Sequence, residues 1–437
     1  MKLSQGFDDL NDRPQTERDW YPRFASAIAK DRTVAARSTK KSLQYYQSFF
    51  EACRSSTIKS FPLEAEEILD ESTEMLNQKN HGVCAYVLPP HLEKWPTFHA
   101  SHQLWMIAPD VLCIRTDRIS TRRRELVLEY LVKEKKIVVN VGSEGVGTKY
   151  VKYTVLTLFY YYHLHYIIGK SAEMNLILMT LLSRIGEVGW PSTVLFRMPH
   201  SPVLEFTLDA SSQQCLVRGL PGTETLDQAT ECSERYDRED AVMLMELACS
   251  ETDPIPAIPC YLTVTADDAL GVTKTIRKMH GSRYVLSDPP SLIQLKLQGL
   301  AYKRHSRVAN PFLDQSPEAI LSTIEQRAQV VGPLSRHTIC SEDDYELQQD
   351  NIRENADGFL SRGHTTLNCF QIPKYASYYI APFIKPDCEP MFGTRAADGS
   401  PPYAFRFLSG HCALTIAQSI REQDGRLGEM QSRGLSI

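Results

Sequence analysis

The segment of this chain best equipped for chemistry is Gly142-Ser143-Glu144-Gly145-Val146-Gly147-Thr148-Lys149. It follows an apolar run, Ile137-Val138-Val139-Asn140-Val141, that reads as a strand, and it precedes a long apolar stretch that reads as a helix. In that context glycines leave backbone amides bare and the helix start adds positive potential, which together cradle phosphate. Gly142 and Gly147 have the spacing of a P-loop, but the residues after them do not. A P-loop needs Lys and then Ser or Thr after the last glycine, whereas Thr148 here precedes Lys149. The reversal swings the ammonium by about 100° around the helix start and takes the Mg²⁺-binding hydroxyl out of place. Gly142, Gly145, Gly147, Thr148 and Lys149 are therefore a candidate phosphate loop, set against a plain glycine turn that opens a core helix.

Other chemistries find less support. His163 and His165 are two apart, so on a helix they point roughly 200° apart and cannot share a metal. His99 and His102 could share a helical face, yet no carboxylate stands within four residues of either, and Trp95, Phe98 and Trp105 around them suggest packing. Cys412 beside His411 is a sequence neighbour, which on a helix diverges by about 100° and makes no dyad. Asp267-Asp268 reads as a cap for a following helix. There is no Gly-x-Ser-x-Gly elbow, no His-Glu-x-x-His and no Cys-x-x-Cys among the 11 cysteines. No catalytic residue, no metal site and no cofactor is assigned, and the cysteines read as reduced, buried thiols.

Charge is laid out in blocks. Residues 201–260 hold three basic and twelve acidic residues, and 271–308 hold eight basic residues against Asp288 alone. The basic block contributes Lys274, Arg277, Lys278, Arg283, Lys303, Arg304 and Arg307 as candidate contacts to nucleic acid or to a neighbouring subunit, interleaved with His280, Tyr284, Tyr302 and His305. A smaller cluster, Arg115, Arg118, Arg122, Arg123 and Arg124, is diluted by Glu125, Glu129 and Glu134.

The elements that must position these residues follow from periodicity. Trp20, Phe24 and Ile28, then Leu43, Tyr46, Phe49 and Phe50, predict helix over 18–54, and the acids after Pro62 predict another to residue 78. Strands are expected at 82–88, 137–141, 193–196, 203–208, 260–265, 365–372 and 378–384. Helices are expected at 121–136, 237–249, 316–331 and 410–425, and 341–357 reads as a loop or exposed helix. Seventeen uncharged residues, 153–169, hold two His and five Tyr, so they read as a buried helix rather than a membrane span. With Met174–Ile185 they form a central pair of long apolar helices. The expected class is α+β, mainly helical, with scattered short strands. The expected organisation is a helical region over 1–135, a central helical core with the acidic segment over 136–252, and a mixed region over 253–437, divided at the proline run 253–259.

Two functions fit. The first is a non-enzymatic, self-assembling structural protein, most like a viral capsid or nucleocapsid subunit enclosing RNA, in which acidic and basic blocks meet between copies. Its partners are other copies of itself and RNA, not a membrane. A start without an apolar leader places it in the cytoplasm or in a virion rather than outside the cell. The alternative is a cytosolic enzyme that binds a phosphate-bearing ligand or nucleotide at the Gly142–Lys149 loop.

Overall fold

A computed structural model describes residues 43–63, 82–97, 106–108, 110–142, 170–198, 201–209, 211–246, 256–263, 282–305, 312, 314–361 and 378–432. The first described element is a helix, α1 (43–54), whose Phe49 and Phe50 are fully buried. Strands β1 (Lys59–Leu63), β2 (Val83–Val87), β3 (Met106–Ala108) and β4 (Val111–Arg115) make an antiparallel sheet in the order β1-β2-β4-β3. The helix expected from Pro62 is not seen at its start, because Pro62 and Leu63 pair with Cys84 and Val83 in β1. The rest of that segment lies outside the described residues. Helix α2 (Arg118–Leu128), capped by Asp117, then leads through a π turn, Glu129–Lys133, into the second sheet.

That sheet has seven strands: β5 (Ile137–Gly142), β6 (Thr193–Arg197), β7 (Val203–Leu208), β8 (Cys215–Leu220), β9 (Ala241–Glu246), β10 (Cys260–Thr263) and β11 (Arg283–Ser287). Their order is β11-β5-β10-β9-β6-β7-β8, with the first five parallel and the β6-β7-β8 meander antiparallel. All six residues of β9 and all four of β10 are buried, as expected of parallel strands covered on both faces. Helix α3 (Lys170–Arg184) covers one face, placing Met174, Leu178 and Leu181 with Val138, Val242, Leu244 and Tyr261. Helix α4 (Leu226–Ser233), closed by a Thr225/Gln228 capping box, covers the other with Leu226 and Ala229 against Val139, Met243 and Leu262.

This architecture corrects the expected class. The strands are gathered into a mixed sheet that organises the core, not scattered among helices. Among the described residues there is no central pair of long apolar helices: α3 is present, and 153–169 lies outside them. The helix expected over 237–249 is instead β9. Its acidic start, Asp237 to Asp240, forms a turn in which the Asp240 and Ala241 amides donate to the Asp237 carbonyl at 3.2 and 3.0 Å. The apolar run that follows is only six residues long, the length of a buried strand. The proline run 253–259 connects β9 to β10, which are parallel neighbours.

Beyond β11 come α5 (Leu292–His305), α6 (Pro317–Val331), a short α7 (Ser335–Thr338), α8 (Glu342–Glu354), α9 (Ala356–Ser361), the β12–β13 hairpin (Ile380–Ile384 and Tyr403–Phe407) and α10 (Gly410–Ser432). Ser316 caps α6 ahead of Pro317, as its sequence predicts. Residues 390–392 lie along β11, where the Leu286 amide donates to the Pro390 carbonyl at 2.8 Å and the Phe392 amide to the Tyr284 carbonyl at 2.9 Å, closing an edge that would otherwise present bare amides. No helix among the described residues is long and apolar enough to cross a membrane.

Candidate ligand-binding edge

The direction in which the chain leaves each parallel strand marks one place on the sheet. From β5 it goes on to β6, three positions away on one side, while from β10, the immediate neighbour of β5, it returns past β5 to β11. Adjacent strands whose carboxyl ends lead in opposite directions define a switch point, where open α/β sheets form their ligand crevice. Gly142, the first glycine of the candidate phosphate loop, is the last residue of β5 at that point. Gly145, Gly147, Thr148 and Lys149 lie outside the described residues.

Polar side chains concentrate at the same end of the sheet. Asn140 on β5 is in register with Thr263 on β10, and Thr263 with Glu246 on β9. All three are buried, at 1, 0 and 3% exposure, in strands that are otherwise apolar. Asn140 is a hub: its Nδ2 donates to Glu173 Oε2 at 3.0 Å and to the Tyr261 hydroxyl at 2.8 Å, and its Oδ1 accepts from the Ser287 hydroxyl at 2.8 Å. Glu173, near the start of α3, also accepts from Arg123 Nε of α2 at 3.1 Å on each carboxylate oxygen. Burial alone would lower the Arg123 pKa, but the charges of Glu173 and Asp288 outweigh it and keep the guanidinium protonated. Burial, then the Glu173 charge, pushes the Tyr261 phenol up, so it stays neutral. The Thr263 hydroxyl is fully enclosed and has no hydrogen-bond partner among the described residues.

A second network braces this edge from the side. Arg115, at the end of β4, bonds Asp117 Oδ2 at 3.1 Å through Nε, and Asp288 Oδ1 at 2.9 Å and the Asp288 carbonyl at 2.7 Å through its two Nη atoms. Asp117 also accepts from the Ser120 amide at 2.8 Å and from Gln294 Nε2 at 2.7 Å. Burial would raise the Asp117 carboxyl, but Arg115 and these donors outweigh it and hold it at about 2. The antiparallel sheet, α2, α5 and the carboxyl end of β11 are thereby joined.

The remaining sequence candidates fall elsewhere. Arg283, at the start of β11, pairs with Glu134 at 3.4 Å and lies 5.6 Å from the Tyr130 ring. Lys303, on α5, donates to the Gln315 carbonyl. Arg304 is also on α5. Lys274, Arg277, Lys278 and Arg307 lie outside the described residues, as do His99, His102, His163, His165 and the Asp267-Asp268 pair. The Cys412 thiol is directed at the Tyr378 and Val330 carbonyls, 3.4 and 3.7 Å away, in the core of the C-terminal helices. Among the described residues no group of three or more His, Cys, Asp or Glu side chains is gathered that could hold a metal ion.

Sequence reasoning placed Arg123 only within a mixed charge cluster and did not single out Asn140, Glu173 or Glu246. The available signal was a single polar residue inside an apolar strand, at Asn140, and a single acid at the head of an apolar helix, at Glu173.

No family model and no curated protein matches this sequence.

Proposed function

We propose that this chain binds a phosphate-bearing ligand, a nucleotide in the first instance, at the carboxyl edge of β11, β5, β10 and β9. The observation that carries this reading is the position of Gly142 at the switch point between β5 and β10, with the sequence Gly-x-x-x-x-Gly-Thr-Lys running on from it. Amides exposed by glycine at such an edge suit an anion. The reversed Thr148 and Lys149 favour binding over phosphoryl transfer of the P-loop kind, since the hydroxyl that would hold Mg²⁺ is displaced. A self-assembling shell around RNA rests on the charge blocks of the sequence, and Arg283 and Lys303 both have partners within the chain.

The test is thermal stabilisation by ATP, GTP, ADP and inorganic tripolyphosphate. At about 100 times Kd a ligand adds about 2.7 kcal/mol to the folded state. A saturable rise in melting temperature that is lost in Lys149→Ala is expected. No rise with any of the four at millimolar concentration overturns the reading.

A further inference from the structure

We infer that β8 is the contact through which two copies of this chain associate, pairing antiparallel about a two-fold axis so that their seven-stranded sheets run on as one. This edge lies on the far side of the sheet from β11 and β5, and the pairing is independent of phosphate binding.

The backbone directions at β8 follow from its partners. The Asp209 amide donates to the Gln214 carbonyl at 2.9 Å, so Gln214 and, by alternation, Leu216, Arg218 and Leu220 turn their main-chain groups toward β7. Cys215, Val217 and Gly219 turn theirs outward, where among the described residues no strand meets them; only the Cys215 carbonyl is engaged, by Gln47 Nε2 of α1. On one face Cys215 and Val217 pack against the cluster that includes Phe49 and Phe50 of α1, which holds the strand in place. On the other, Leu216 is 40% exposed and Arg218 reaches back to Glu205 of β7 at 3.0 Å.

The other edges of the two larger sheets are blunted. Residues 390–392 close β11, Lys59 and Pro62 stand in β1, and β3 has three residues and a register shift. The six residues of β8 contain no proline and no lysine, and their one charge is paired with Glu205.

What fits this edge is the edge itself. A two-fold axis through Val217 sets Val217 against Val217, and Cys215 against Gly219 in both directions. All the outward residues then exchange N–H···O bonds, the Cys215 carbonyl using its second lone pair. On the open face Leu216 lies opposite Arg218 of the second copy, against its aliphatic stem, and no like charges meet. An axis through Arg218 would oppose two guanidinium groups and call on Pro221, which has no amide. One through Leu216 would pair Gly219 with Gln213, which sits in the turn with φ 57°.

Sedimentation velocity of the full chain, from low to high micromolar concentration, should show a monomer–dimer equilibrium, and hydrogen exchange at Val217 and Gly219 should slow as the dimer fills. Val217→Pro removes an amide that β7 does not use, a change an edge strand tolerates, and should raise the dimer dissociation constant about tenfold or more. Leu216→Lys and Leu216→Glu change only an exposed side chain, which keeps the test open if the proline variant does not fold. Lys should weaken the dimer by facing Arg218, Glu should not, and salt should narrow the difference. A chain that stays monomeric throughout overturns the pairing. So do Val217 and Gly219 amides already protected in the dilute monomer, because another part of the chain then covers the edge. A dimer that Val217→Pro and Leu216→Lys leave unchanged places the contact elsewhere, and Lys and Glu variants that dimerise alike rule out the Val217 register.

Discussion

The Arg123 guanidinium and the Glu173 carboxylate, fifty residues apart in the chain, meet at 3.1 Å where their side chains are only 8% and 4% exposed. Breaking such a pair from one side leaves a buried charge uncompensated, which costs about 3–5 kcal/mol, whereas replacing both partners by apolar groups is often close to neutral. Glu173→Leu is therefore expected to lower unfolding free energy by about 3 kcal/mol or more. The double variant Arg123→Leu, Glu173→Leu should recover a large part of that loss. Urea unfolding of the two single variants and the double variant closes the cycle, and a double variant as unstable as the sum of the singles would show that the two groups are not coupled.

Asp117 gives the fold a dependence on acid. Its carboxyl is held at about 2 against an ordinary 3.8, so the folded state favours the charged form. A depressed carboxyl contributes stability above its unfolded value and loses it as pH falls through the folded one. The contribution, about 2 kcal/mol at 1.36 kcal/mol per pH unit, is thus complete above about pH 5 and is lost between pH 4 and 2. Asp117→Asn keeps an N-cap side chain on α2 while removing the charge that faces Arg115. Denaturant midpoints should separate parent and variant by about 2 kcal/mol at pH 7 and bring them together near pH 2. A gap that stays constant with pH would assign the stabilisation to hydrogen bonds alone.

How much of this is legible in the residues depends on the distance over which the deciding contact acts. Ser316-Pro317-Glu318 announces α6 because cap, first-turn proline and acid act within one turn. The apolar run before Gly142 announces β5 for the same local reason. The run in β9 is preceded by Asp237, Glu239 and Asp240, which imitate an acidic helix start, and only the neighbouring strands β6 and β10 decide that it extends. The fold class failed on that point, since the order of parallel strands is written in contacts between residues far apart in the chain. The network around Asn140 was not legible: Arg123 looks like one charge in a mixed cluster until Glu173 is brought beside it.

Thiol accessibility provides an independent check on the core. Cys113 and Cys260 are fully buried, and burial pushes both thiols up, so neither presents thiolate at neutral pH. Cys215 and Cys388 are half-exposed. Native protein treated briefly with iodoacetamide at pH 7.5 should carry label at Cys388, more slowly at Cys215, whose thiol partial burial also pushes up, and at Cys113 and Cys260 only after denaturation. Early labelling of Cys260 would mean that the parallel core opens near β10 on the time scale of the reaction.

The join between α6 and the C-terminal hairpin turns on one glycine. Gly332 follows α6 with φ 88° and ψ 170°, a conformation that is essentially confined to glycine. An added Cβ would also stand 2.5 Å from Leu408 Cβ and 3.1 Å from the Leu408 carbonyl oxygen. Leu408 cannot retreat easily, since it is buried and its amide donates to the Tyr379 carbonyl at 2.7 Å. Gly189 makes a natural control: its φ is also positive, at 79°, but nothing lies within 4 Å of where its Cβ would be. Gly189→Ala should cost only backbone strain, about 1 kcal/mol. Gly332→Ala should cost about 2–4 kcal/mol, because strain and overlap act together. Equal losses in calorimetric stability for the two variants would show that Leu408 and β13 shift to make room, and that the C-terminal helices are joined to α6 less tightly than this contact implies.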